Sequence, residues 1–176
     1  MKKIIVFLIA VSMLFAVSCN LRGGSKPQIP QKDDGQEVVN TPAKDKITLY
    51  YTDSDASGLY AEVREVDSKK SEDAAFIAEE LLKGSTNKEL INVIPEGTRL
   101  NSCTVEDGLC TVDLSAEFVS KNGTANEQLS IYSVVNTLCL LDSVNEVKFL
   151  IDGKEVMIYG SYIFDEPFSA DSTIIK

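Results

Sequence analysis

The sequence predicts an α+β domain, two main helices packed on a mixed or antiparallel sheet, and three observations carry that prediction. Asp107-Gly108 and Asp152-Gly153 each sit between short segments of alternating polarity, the pattern of two strands joined by a type I′ turn. Two longer stretches, ending near Gly84 and Leu141, instead repeat apolar residues at helical spacing. Strands outnumber helices along the chain, which places the fold in the α+β class.

The chain begins with an element that is not part of the domain. Met1-Lys2-Lys3 leads into the apolar run Ile4 to Phe15, which is shorter than the about 20 residues a bilayer span needs. It ends in Ala16-Val17-Ser18-Cys19, similar to a lipobox except that Ala16 stands where leucine is usual. Residues 1–19 therefore read as a lipoprotein signal, with Cys19 receiving a diacylglycerol. A conventional signal peptide or an uncleaved anchor is the alternative. Two acyl chains make a stable membrane anchor at about 0.8 kcal/mol per buried methylene.

Residues 20–45 carry Gly23, Gly24, Pro27, Pro30, Gly35 and Pro42 among polar residues and show no periodicity. They read as a flexible linker, long enough to hold a domain roughly 25–30 Å from its anchor.

The domain is expected over residues 46–168, followed by a tail at 169–176. Ile47, Leu49 and Tyr51 alternate as a first strand, and Leu59 to Val66 forms a second beyond the turn at Asp53–Gly58. Ser68 or Ser71 is placed to cap a helix running to about Lys83, with Ala74, Ile77, Ala78, Leu81 and Leu82 on one face and Gly84 as its stop. Leu100–Val105 and Leu109–Leu114 form the first Asp-Gly hairpin. A loop at Asn122-Gly123 and a capping-box pair, Thr124 and Glu127, open a second helix to Leu141. Glu146–Ile151 and Lys154–Tyr159 then read as the last hairpin.

Composition narrows the chemistry. The 176 residues contain no histidine, which removes histidine-based triads, a histidine general base and H-E-x-x-H zinc sites. They contain no tryptophan, so a sugar-stacking platform would fall to Tyr or Phe. The net charge of −10 repels phosphate backbones, which excludes nucleic acid as the expected partner.

Apart from Cys19, Cys103, Cys110 and Cys139 remain. Cys103 and Cys110 face the same side of the hairpin but lie diagonally, typically about 7–8 Å apart, beyond the usual span of a disulfide. All three read as small core residues, with a Cys103–Cys110 crosslink as the alternative and metal ligation weaker still. Asp53, Asp55, Glu96, Asp113 and Glu117 are imaginable as a calcium or acid–base site, but their spacing forces no pair together, and they read as turn-forming or solvated. No metal or cofactor is expected.

The second helix is the most informative stretch. Ile131, Tyr132, Val134, Val135, Leu138, Cys139 and Leu141 form a broad apolar face. The opposite side holds Leu129, Ser130, Ser133, Asn136, Thr137 and Leu140, and no charged residue occurs from 128 to 141. A solvated face would carry Lys and Glu. This one is expected either to lie beneath the domain's own loops or to form a partner-contact face, since interface cores are depleted in charge.

Taken in order, Ile47–Tyr51, Leu59–Val66, Glu80–Gly84, Ile94–Leu100, Val105–Gly108, Val112–Ser115, Tyr132–Leu138 and Val147–Gly153 resemble the GerM sporulation and spore-germination family in its GerMN domain. The resemblance implies a fold related to the ring-building motifs of secretion-type assemblies. It implies membrane-anchored proteins of Gram-positive bacteria that are not known as enzymes. The sporulation member carries two such domains in tandem and this chain one, so the implied role is a general envelope role.

The expected function is a lipid-anchored extracytoplasmic binding or scaffold module for assembly of an envelope complex linked to sporulation or germination. Its partners would be the membrane, through the diacylglycerol on Cys19, and envelope proteins or further copies of itself. The alternatives are a peptidoglycan-binding lipoprotein using exposed tyrosines and a carboxylate-based wall hydrolase. Cys19→Ala is expected to abolish incorporation of labelled palmitate and to move the protein from the membrane fraction to the medium. Retention of label at wild-type level would refute the anchor assignment.

Overall fold

The computed structural model describes residues 43–119 and 124–176. The signal segment with Cys19, the linker through residue 42, the Asn122-Gly123 turn and the Thr124 side chain lie outside the described residues.

Strand β1 (Lys44–Thr52) pairs antiparallel with β2 (Leu59–Asp67). Their turn is organised by Asp53, whose carboxylate accepts the Ser57 N–H at 2.9 Å, the Ser57 hydroxyl at 2.7 Å and the Tyr60 hydroxyl at 3.2 Å. Helix α1 (Ala74–Leu82) follows. It starts later than expected and is capped by Asp73, which accepts the Phe76 N–H at 3.0 Å. Ser68 and Ser71 are instead held in the preceding turn, where the Ser71 hydroxyl contacts Asp45 and the Ser68 carbonyl. A carboxylate suits the positive end of a helix better than a hydroxyl does.

Strands β3 (Leu100–Glu106) and β4 (Leu109–Leu114) form the expected hairpin, with Asp107 and Gly108 at φ 51° and 87°. Helix α2 spans Thr124–Leu138, and β5 (Glu146–Ile151) runs parallel to β4.

The last hairpin is a correction. Asp152 and Gly153 adopt left-handed conformations, φ 48° and 73°, and Ile151 and Lys154 bridge across them. The segment after Lys154 nevertheless does not pair along β5. Two interactions redirect it. Asp113 takes the Gly153 N–H at 2.9 Å, and Phe149 gathers Phe164 and Phe168 at ring-centroid distances of 5.3 and 5.7 Å. The segment forms its own small hairpin, β6 (Ile158–Tyr159) with β7 (Tyr162–Ile163). Strand β8 (Phe168–Ser169) then takes the edge of β5, giving the order β3-β4-β5-β8.

The expected tail is also corrected, because residues 169–176 belong to the domain. Ser169 completes β8, Ile174 and Ile175 pack against the cluster of Tyr50, Leu59, Val93 and Leu129, and the Lys176 N–H donates to the Leu59 carbonyl at 2.9 Å. The main core joins Ile47, Leu49 and Tyr51 to the buried faces of α1, α2, β4 and β5. Phe76, off the apolar stripe of α1, is half-buried against that core with the Lys70 ammonium 5.4 Å from its ring centre.

A buried ionic knot ends α1. Glu62, 7% exposed, accepts hydrogen bonds from the Ser85 hydroxyl, the Thr86 and Asn87 N–H groups and, at 2.7 Å, the Arg64 guanidinium. Arg64 also donates to the Glu80 and Gly84 carbonyls at 3.0 and 2.5 Å, satisfying the open end of the helix. Tyr51 reaches the Leu81 carbonyl at 3.2 Å, and burial pushes its phenol up to about 12.

Burial opposes the charge on Glu62, but hydrogen bonds from Ser85, Arg64, Asn87 and Thr86 outweigh it and lower its carboxyl to about 2. Because the folded value lies below the unfolded one, this stabilisation is complete above about pH 4.5 and is lost as pH falls toward 2. It corresponds to about 3 kcal/mol. Wild type should therefore lose about that much more stability than Glu62→Gln in urea melts between pH 5 and pH 2. Parallel acid limbs for the two proteins would dispose of the assignment.

Candidate interaction surface

The charge-free side of α2 is interior. Ser133 and Thr137, one helical turn apart, meet the edge of β1 that β2 leaves unpaired. The Ser133 hydroxyl donates to the Tyr50 carbonyl at 2.6 Å, and the Tyr50 N–H donates to the Thr137 hydroxyl at 3.1 Å. Two side chains on a helix thus supply the donor and acceptor that a neighbouring strand would have offered. Thr52, next along the same edge, exchanges bonds of 3.1 and 2.7 Å with the backbone of Ile91.

Asn136 repeats the device on the C-terminal segment. Its amide nitrogen donates to the Asp171 carbonyl at 2.9 Å, and its amide oxygen accepts the Asp171 N–H at 2.8 Å. Ser130 turns its hydroxyl back to the Glu127 carbonyl, and Leu129 joins the small cluster with Tyr50, Leu59 and Val93.

The partner-contact face expected at Leu129, Ser130, Ser133, Asn136 and Thr137 is thereby corrected, since all five are buried. Their lack of charge reflects contact with this chain's own backbone, where an ion would lie unsolvated beside an edge strand. Leu140 differs from the rest: it lies past the end of α2, 52% exposed, beside a depression of about 450 Å³ lined with Asp45, Lys46, Ser71 and Asp142.

The acidic residues weighed as a site are dispersed. Asp53 holds the first turn, while Asp113 binds the Gly153 N–H and approaches Asn101 at 3.4 Å. Glu117 lies 3.5 Å from Arg99 at the surface. Among the described residues no three side chains of metal-ligand type come together. All six tyrosines are described and none is exposed: Tyr50, Tyr51 and Tyr159 are buried, and Tyr60, Tyr132 and Tyr162 are half-buried.

What the structure does display is the β6–β7 hairpin. Tyr159 points inward, 3% exposed, stacked 6.1 Å from Phe164, while Tyr162 meets Tyr132 edge-on at 6.5 Å. Strand alternation then turns Ile158 and Ile163 outward as a directly opposed pair. They are 64% and 61% exposed, and the adjoining Met157 is 70% exposed. Glu155, Asp165 and Glu166, close to them in sequence, are exposed as well. Single exposed apolar residues such as Val63 and Ile91 are ordinary, but Ile158 and Ile163 are exposed as an opposed cross-strand pair, with Met157 exposed next to them in sequence. Sequence reasoning missed this pair by treating Lys154–Tyr159 as one arm of a hairpin on β5; the signal present was Ile158-Tyr159 mirrored by Tyr162-Ile163 about Gly160-Ser161.

The fold defines a small α+β domain of the GerMN type. The family profile of Germane, sporulation and spore germination, matches residues 48–157, and the chain belongs to that family. Among solved structures, the tandem GerMN domains of the sporulation protein GerM from Bacillus subtilis are similar at a TM-score of 0.61 and 24% identity. That match covers 76% of this chain and 47% of the tandem chain, so this chain spans about half the length of that chain. The first GerMN domain of the same protein matches at 0.53 and 27% identity, over 72% of this chain and 96% of that one. A Clostridium perfringens protein assigned as a lipoprotein matches at 0.53 and 23% identity, over 72% and 87%. No curated protein sequence matches the chain.

Ser133→Lys distinguishes an interior face from a docking face. Burying an ammonium beside the Tyr50 carbonyl is expected to cost about 4 kcal/mol or more. Leu140→Lys should change stability by no more than about 0.5 kcal/mol. A Ser133→Lys protein that melts like wild type would restore the docking reading.

Proposed function

We propose that the protein is a lipid-anchored module that helps assemble or position an envelope complex connected with sporulation or germination. In this reading Cys19 carries the diacylglycerol and the linker follows it. The domain then stands on the outer face of the cytoplasmic membrane of a Gram-positive bacterium. Membership of a sporulation and germination family supports the role, and the likeness to a protein assigned as a lipoprotein supports the anchor. Among the described residues no helix is long and apolar enough to cross a membrane.

The observation that carries the proposal is the exposed trio Met157, Ile158 and Ile163. The polar side of α2 is committed to the domain's own backbone, whereas this hairpin turns two opposed apolar side chains outward. Wall recognition through stacked tyrosines has less support, because the tyrosine rings lie inside or at the margins of the core.

The test places a photocrosslinking residue at Ile158, at Ile163 or, as a control, at Val63, in growing and sporulating cells. The same envelope protein should crosslink from both hairpin positions and not from position 63. Because about 1.4 kcal/mol is a factor of ten in affinity, adding Ile163→Glu to the Ile158 probe should cut its adduct at least tenfold. Equal labelling from all three positions, or recovery of wall fragments alone, would refute the assembly reading.

A further inference from the structure

The β3–β4 hairpin holds two thiols that the assembly reading does not use. Cys103 pairs with Val112 and Cys110 with Val105, so the cysteines lie on one diagonal of the ladder, as the sequence implies. Their sulfur atoms are nevertheless 3.4 Å apart, in contact. The right-handed twist between paired strands shortens one of the two diagonals, and the two side chains span what remains. Both thiols are free. Cys110 is fully buried and Cys103 is half-buried, on a strand at the end of the four-stranded sheet. Cys139 occupies a separate position, its sulfur 3.6 Å from the Asn145 carbonyl.

We propose that Cys103 and Cys110 are a redox-active dithiol that closes to a disulfide within the hairpin by exchange with a disulfide-bearing oxidant.

The two cysteines have different parts in that exchange. The hydrogen bond from Cys110 holds the Cys103 thiol below the usual thiol range, against the effect of burial, and giving that bond together with burial pushes the Cys110 thiol up. The Cys103 side also has access to solvent. Cys103 as thiolate therefore attacks one sulfur of the oxidant's disulfide, and the other sulfur leaves as a thiolate. The Cys110 sulfur, already in contact, attacks the Cys103 sulfur of the mixed disulfide and releases the oxidant's remaining thiolate. Cys103 and Cys110 together lose two electrons and two protons, and the oxidant becomes two thiols. The product ties the end strand β3 to β4, fixing its register at the edge of the sheet.

The inference is independent of the assembly reading and is tested on the full-length lipoprotein. The protein is reduced, equilibrated with glutathione disulfide, alkylated without reductant and weighed intact, with peptide mapping of any crosslink. Wild type should lose two alkylated thiols and yield a Cys103–Cys110 peptide. Cys139→Ala should behave likewise with its one fewer thiol, while Cys103→Ser should form no internal crosslink. The Cys103→Ser change sits at a half-buried strand position, and its folding is checked by circular dichroism. The oxidised wild type should also melt several degrees higher than its reduced form. Full alkylation at every glutathione disulfide concentration, or a crosslink that includes Cys139, would overturn the proposal.

Discussion

The contact on which the fold depends is between α2 and the open edge of β1. A two-stranded hairpin has too little cross-strand pairing to stand alone in water and must be held by another element. Here the holding element is a helix whose Ser133 and Thr137 satisfy the N–H and carbonyl of Tyr50, with Ile91 serving Thr52 in the same way. Once this edge is closed, Ile47, Leu49 and Tyr51 are fixed over the core, and Tyr51 joins the Arg64–Glu62 knot that stops α1. Buried hydroxyls that find backbone partners, as Ser133 and Thr137 do, specify one arrangement of helix and strand. An apolar face would permit several.

That arrangement explains which parts of the fold were legible in the sequence. Local signals were read directly: the Asp107-Gly108 turn, the stop at Gly84, the two helices and the alternation of β1. What escaped depended on contacts distant in sequence. Asp73 displaced Ser71 as the cap of α1 because Ser71 was engaged with Asp45, far back along the chain. The Asp152-Gly153 turn was correctly placed but did not make a hairpin, because Asp113 and the Phe149 aromatic cluster drew the following segment elsewhere. Turn chemistry specifies how a chain reverses and leaves open which strand it meets next.

The candidate surface shows the same division. Absence of charge on α2 was visible in the sequence, and burial beneath the domain's own chain was one of its two readings. Choosing between them needed the position of Tyr50, far upstream of the helix. The hairpin pair was hidden for a related reason, since Ile158 and Ile163 face outward only because Tyr159 and Tyr162 are drawn in against aromatic neighbours. Charge depletion alone therefore does not separate a helix that serves a partner from one that serves its own sheet. The test is whether small hydroxyls and amides on that face find backbone within the same chain.

The Asn136–Asp171 clamp bears on how the molecule is made. A polypeptide emerges from its N-terminus, so α2 is complete well before the residue that satisfies Asn136 appears. Strand β8 and the docking of Lys176 against Leu59 come later than every other element as well. Until those later residues arrive, the amide of Asn136 lacks its backbone partner and β5 lacks one neighbour. Delivery of the chain from its N-terminus thus leaves a window in which α2 is present while the backbone group that Asn136 will clamp is not.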